Sequence, residues 1–242
     1  MSRRLVIIPT YNEIENIERI IRNVFSQRSS FDILVVDDSS PDQTAVKVKE
    51  LQEEFSEQLF LEVRTEKSGL GTAYIHGFKW ALARDYDFIF EMDADFSHNP
   101  NDLIRLYNAC VKQKADVAIG SRYVKGVNVV NWPMNRVLMS YFASKYVKFI
   151  TRMQIQDTTA GFVCYRREVL ERINLDTIQF VGYAFQIEMK FKAYLYKFNI
   201  VEVPVIFTDR TRGESKLSSN IISEAVFGVI KMKLKSLFGK EV

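Results

Sequence analysis

The chain has 242 residues, 47% of them hydrophobic and 26% charged, with a formal net charge of +3. That length and apolar content supply the core of one sizeable α/β domain or two small ones and exclude a disordered chain. So small a net charge leaves no electrostatic footprint for nucleic acid, and two cysteines cannot frame a disulfide scaffold.

Leu5-Val6-Ile7-Ile8-Pro9 is a short apolar strand closed by a proline. It is too short for the core of a signal peptide, and no later segment reaches the roughly 18–20 apolar residues of a transmembrane helix. Ile14, Ile17, Ile20, Ile21, Val24 and Phe25 then recur at helical spacing over residues 12–25. Asn12 or Thr10 is placed to cap that helix, with Glu13 and Glu15 in its first turn. Residues 31–36 form a second buried strand, ending in Asp37-Asp38-Ser39-Ser40-Pro41-Asp42, a turn into a helix over 44–55. A third strand covers 59–63, Gly69-Leu70-Gly71-Thr72 opens a helix over 73–84, and a fourth strand covers 88–92. Strand and helix therefore alternate, which predicts one open, mostly parallel, Rossmann-like sheet with helices on both faces.

Beyond it the pattern gives a helix over 102–113, a strand over 117–123, a helix over 135–150, strands over 162–166 and 200–207, and a helix over 185–195. Cys110 and Cys164 fall in a helix and a strand, as small core hydrophobes in a reducing compartment. Residues 1–123 are expected to form a nucleotide-binding half and 124–216 an acceptor half, followed by an amphipathic C-terminal helix over about 219–240, all in a single domain with no linker. From Lys190 onward ten Lys and Arg stand against five Asp and Glu, so the basic excess sits in the C-terminal quarter, suited to phosphates or an anionic membrane surface.

The chemistry concentrates at strand ends. Ligands of such sheets bind beyond the carboxyl ends of the strands, and Pro9 to Glu13, Asp37-Asp38 and Asp93-Ala94-Asp95 all lie there. Two carboxylates two residues apart after a buried strand are costly to desolvate without a cation, and a hard divalent ion carrying a diphosphate meets them well. A lone D-x-D is more often a pair of solvated loop acids; here one crevice is expected to collect all three strand ends. Asp38 is placed to bond a base or ribose, or, like Asp37, to shape a turn into a helix. Arg122 follows a buried strand and presents a planar fork suited to a diphosphate or to a salt bridge. Asp209-Arg210-Thr211-Arg212-Gly213-Glu214-Ser215-Lys216 gathers cations around a glycine, as a loop over anionic groups or as solvated surface. His98 is a loop histidine three positions past the D-x-D, either polar surface or a group with a role near the metal, and His76 lies within a helix in a structural role. The Gly69-Leu70-Gly71 spacing matches neither a dinucleotide fingerprint nor a P-loop and suits a turn before a helix.

In this order, Ile8-Pro9-Thr10-Tyr11-Asn12-Glu13, Val35-Val36-Asp37-Asp38-Ser39-Ser40-Pro41-Asp42, Asp93-Ala94-Asp95-Phe96-Ser97-His98, Gly120-Ser121-Arg122-Tyr123 and the segment 210–217 resemble the family 2 glycosyltransferases, and within them the polyprenyl-phosphate mannose synthase branch. The resemblance implies a GT-A fold and an inverting transfer of mannose from GDP-mannose to a dolichyl or undecaprenyl phosphate. It implies that Pro9, Tyr11, Glu13, Val36 and Asp38 hold the nucleotide. Asp93 and Asp95 would bind Mg²⁺ or Mn²⁺, Ala94 would line the sugar nucleotide, and Arg122, Arg210 and Lys216 would neutralise the diphosphate and the acceptor phosphate. Asp95 and Arg122 are the residues expected to carry catalysis. Transfer from a UDP-sugar to the same lipid and a silent nucleotide-sugar-binding scaffold are the competing readings.

Some members carry transmembrane helices after the catalytic domain, and none is present up to Val242. The lipid is then met peripherally, at the cytoplasmic face of a membrane, through the amphipathic stretch 221–238, the helix over 136–150, or a small membrane subunit. Both helices are equally suited to packing on the core. Ser39 stands where members often have glycine, which implies a small change in turn geometry.

Overall fold

The computed structural model describes residues 2–27, 29–182, 184–209 and 219–237. Arg210 and Lys216, both expected at the site, lie outside the described residues. The elements follow in the order β1 (Arg4–Thr10), α1 (Ile17–Phe25), β2 (Asp32–Asp37), α2 (Thr44–Glu54), β3 (Leu59–Val63), α3 (Leu70–Leu82), β4 (Phe88–Glu91) and α4 (Leu103–Lys112). The second half adds β5 (Val117–Ser121), β6 (Val129–Val130), α5 (Met134–Thr151), β7 (Val163–Arg166), α6 (Arg167–Arg172), α7 (Ala184–Leu195), β8 (Ile200–Pro204), β9 (Phe207–Thr208) and α8 (Ser219–Leu237).

Seven strands form one sheet in the order β3-β2-β1-β4-β7-β5-β8, while β6 and β9 pair apart from it. The residues of β1 explain why both faces are covered. Leu5 and Ile7 enter one hydrophobic cluster with α3, α6 and α7, and Val6 and Ile8 enter the other with α1, α2 and α4. A strand whose side chains alternate between two cores is apolar without interruption.

The sheet is parallel at β1–β2, β2–β3, β1–β4 and β5–β8, and β7 runs antiparallel to both neighbours. Within the sheet, β5 and β8 reach the other strands through β7 alone. The reversal has a consequence for the site. It brings the start of β7, and the segment 157–161 before it, to the edge where the other strands end.

Several boundaries differ from the sequence expectation. The first helix begins at Ile17, one turn late, because Asn12 sits at φ 59° and the backbone N–H groups of Asn12, Glu13 and Ile14 are taken by Ser40, Thr44 and Asp42. Neither Thr10 nor Asn12 caps it; the N-cap is Asn16. The expected strand 200–207 is divided between β8 and β9, and β6 and α6 were not foreseen. Gly69 takes φ 101° immediately before α3, the turn role read from its sequence.

Candidate active site

At the ends of β1 and β2 the acids stand in a hydrogen-bonded turn, the turn-shaping role read for Asp37 and Asp38 beside the nucleotide-binding one. Asp37 accepts from Thr10 Oγ1 at 2.7 Å, Ser40 N at 2.8 Å and Ser40 Oγ at 2.6 Å. Asp38 accepts a bidentate pair from Arg64, at 2.6 Å from Nε and 2.7 Å from Nη2, and Arg64 donates onward to Thr72 at 2.8 Å. Pro9, Tyr11, Glu13 and Val36 stand at these same strand ends. The Lys67 ammonium lies 4.1 Å over the Tyr11 ring, and Glu13 accepts from Asn16 Nδ2 at 3.0 Å.

Beyond β4, β5 and β7 lies a cavity of about 440 Å³. Asp93, Asp95 and Arg122 all line it, so three sequence-predicted residues meet in one space. Asp93 accepts from Tyr74 Oη at 3.4 Å, and Asp95 Oδ1 accepts from Ser97 N at 3.0 Å. Ala94 between them is buried.

His98 is not the surface residue its loop position suggested. It is buried, stacked on Phe162 with ring centres 4.9 Å apart, and its Nδ1 accepts from Asp93 N at 3.2 Å. Burial lowers its pKa to about 4, so the ring is neutral at pH 7 and holds the D-x-D backbone in place. With Nδ1 so engaged, the oxygen donors here are Asp93 and Asp95. Among the described residues no group of three or more His, Cys, Asp or Glu is arranged to hold a metal ion. Two carboxylates with room beside them suit a hard ion whose remaining positions go to phosphate oxygens and water.

Arg122 is buried and tied down. Its Nε and Nη2 donate to the two oxygens of Asp157 at 2.7 and 2.6 Å, its backbone N–H to Asp157 at 2.8 Å, and Nη2 to Thr159 at 2.9 Å. Asp157 N and Gln156 N in turn donate to Glu202 on β8, at 2.9 and 2.8 Å. Burial pushes the Asp157 carboxyl up, but the Arg122 charge and hydrogen bonds outweigh it and hold the group below the ordinary aspartate value.

Arg136 from α5 lines the same cavity, 4.1 Å over the Trp132 ring, and donates to Asp209 at 2.8 Å. Arg136, Asp157 and Gln186 were not singled out in the sequence. Asp157-Thr158-Thr159 resembles an ordinary turn, and Arg136 an exposed helix cation. Toward α5 and α8 the lining becomes apolar, with Met139, Phe142, Ala143, Tyr146 and Val226.

Residues 5–173 match the family described as Glycosyl transferase family 2. The chain is 47% identical over 234 residues to polyprenol monophosphomannose synthase of Mycolicibacterium smegmatis, covering 97% of this chain and 88% of the relative. It is 44% identical over 232 residues to undecaprenyl-phosphate mannosyltransferase of Micrococcus luteus, covering 96% and 94%. Among solved structures, glucosyl-3-phosphoglycerate synthase from Mycobacterium tuberculosis, in complex with Mn²⁺, uridine diphosphate and glucosyl-3-phosphoglycerate, aligns with a TM-score of 0.65 at 16% identity. That alignment covers 97% of this chain and 79% of the other, and it establishes a common fold.

Proposed function

The chain belongs to glycosyl transferase family 2, and from that premise we propose that it transfers mannose from GDP-mannose to a polyprenyl phosphate, with inversion at the anomeric carbon. The observation that carries the reading is the cavity. Its lining joins two carboxylates and Arg122 to apolar residues of α5 and α8. A sugar nucleotide diphosphate suits the first set and a phosphorylated isoprenoid chain the second.

In this reading the bond from the anomeric carbon to the donor diphosphate breaks as a bond to a phosphate oxygen of the acceptor forms. The acceptor is already anionic at neutral pH, so no strong general base is required. Asp93 and Asp95 hold a Mg²⁺ or Mn²⁺ ion, which when bound offsets the charge growing on the leaving diphosphate. Arg122 adds a fixed positive group, held rigid by Asp157 and moderated by it. Arg136 stands on the α5 side of the cavity for the incoming phosphate. Pro9, Tyr11, Glu13, Val36 and Asp38 bind the nucleoside, and Arg210 and Lys216 neutralise the diphosphate and the acceptor phosphate. Alignment of two bound partners supplies much of the rate.

No helix among the described residues is long and apolar enough to cross a membrane. Phe142 and Phe149 on α5 are 61% and 66% exposed, and Phe227 and Leu237 on α8 are 73% and 66% exposed. Lys231, Lys233 and Lys235 punctuate α8, giving a surface suited to lie on an anionic leaflet where the lipid resides.

The test is transfer of labelled sugar from GDP-mannose, and in parallel from UDP-glucose, to a short polyprenyl phosphate with and without Mn²⁺. Metal-dependent labelling from GDP-mannose is the expected result, and Asp93→Ala lowers it by about a hundredfold or more. Labelling from UDP-glucose alone overturns the donor assignment, and unchanged transfer by Asp93→Ala overturns the metal site.

A further inference from the structure

Glu91 closes β4, two residues before Asp93, and is fully buried. Its Oε2 accepts from Nε2 of Gln186 at 2.8 Å, and Oε1 of Gln186 accepts from the Lys190 ammonium at 3.1 Å, one turn further along α7. Lys190 also donates to the carbonyls of Ala160 at 2.6 Å and Gln186 at 3.1 Å. An ammonium has three donors and no acceptor. Lys190 is therefore fully used inside the protein. What it does is set a direction: only the amide oxygen of Gln186 can face it, so the amide nitrogen faces the other way.

Burying an ammonium and a carboxyl is unfavourable unless they are well paired, and apolar residues would pack this helix at least as well. The arrangement instead immobilises one amide. Gln186, itself 2% exposed, lines the cavity with Asp93, Asp95, Ala160 and Gly161. Its nitrogen carries two donors, and Glu91 takes one. Gly161 leaves a recess beside it: a Cβ added there would stand 3.9 Å from Gln186 Nε2 and 3.8 Å from His98 Cε1. A sugar hydroxyl is neutral and can both accept and donate, so it takes an amide N–H without bringing a charge into the recess.

We propose that Gln186 reads the donor sugar: its oriented amide nitrogen donates to a hydroxyl of the sugar, the Gly161 recess admits the ring, and Lys190 and Glu91 are positioning residues for the amide. The proposal rests on the reading of this protein as a sugar-nucleotide transferase and names the residue that recognises the transferred group.

The test compares binding of GDP-mannose with binding of GDP, both with Mg²⁺, by calorimetry, alongside donor KM. The full chain is set against Gln186→Leu, Lys190→Met and Gly161→Ala. Gln186→Leu is expected to bind GDP within about twofold of the parent and GDP-mannose about tenfold more weakly, with donor KM rising in step. Lys190→Met shifts the same ratio in the same direction by a smaller factor. Gly161→Ala adds a methyl in ordinary contact distance of both neighbours, so it folds even if the core variants do not, and it too weakens GDP-mannose selectively. Folded variants that bind GDP-mannose and GDP in the parent's ratio overturn the proposal. If the parent transfers sugar only from another nucleotide, the donor assignment fails on its own, and the ratio is measured with that donor and its nucleoside diphosphate.

Discussion

Arg122 shows how far a single residue can be foreseen. Its place after a buried strand offered a fork for a diphosphate or for a salt bridge; it lines the cavity with Asp93 and Asp95, and its fork forms a salt bridge with Asp157. Its partner was hidden, because Asp157 is 35 residues away and reaches it only through the reversed strand β7. The pair is testable through stability. Asp157→Asn leaves a buried guanidinium without its counter-charge and is expected to cost about 3–5 kcal/mol at pH 7, lowering Tm by roughly 10 °C. Because the folded Asp157 lies below its unfolded value of about 3.9, the unfolded chain takes up the proton first as pH falls. The contribution is complete above that value and disappears as pH drops through the lower folded value. Thermal melts should show the same gap between parent and variant at pH 7 and pH 5, closing only in stronger acid. His98 makes the complementary point. A histidine in a polar loop looks solvated, and nothing local reveals that Phe162 and Phe207 enclose it.

At the level of elements, strands and helices buried by their own pattern were legible, and elements defined by a partner were not. β1, β2 and β4 are runs of apolar residues covered on both faces, so periodicity located them to within a residue or two. The paired residues of β6 and β9 are too few to show a period, and their pairing joins segments almost eighty residues apart. The start of α1 was misplaced because its first turn is given to the 40–44 segment, a competition the helical spacing does not contain. α3 illustrates packing overriding propensity. Gly77 sits in its middle, where alanine would favour the helix by up to about 1 kcal/mol. An added Cβ, however, would stand 2.8 Å from two carbons of Ile7 on β1. Gly77→Ala is therefore expected to destabilise the protein by about 1–3 kcal/mol in urea unfolding. A variant as stable as the parent would show that α3 can lift from the sheet without loss.

For the whole molecule, the exposed apolar side chains of α5 and α8 are the surface proposed to meet the lipid. A phenylalanine moved fully from water contributes about 1.5–3 kcal/mol. Replacing both Phe142 and Phe227 by serine should thus lower partition onto anionic phospholipid vesicles by tenfold or more. Because both side chains are exposed, Tm should stay nearly constant. Unaltered sedimentation with vesicles would remove this face from contact with the lipid. The sequence showed both helices as amphipathic but could not tell a face turned to the core from one turned outward; in the structure the Tyr146 hydroxyl of α5 donates to the Val226 carbonyl of α8 at 2.9 Å, a point where the two helices meet. Finally, β7 has a bearing on how the molecule is made. A ribosome releases β1 to β4 and then β5 well before residue 163, and the sheet offers β5 no place beside β4 until β7 arrives between them. The early strands can assemble while the chain is still growing, but the two walls of the cavity are joined only afterwards. A product truncated before β7 would therefore carry Asp93 and Asp95 without Thr159, Ala160 and Gly161, which line the cavity with them.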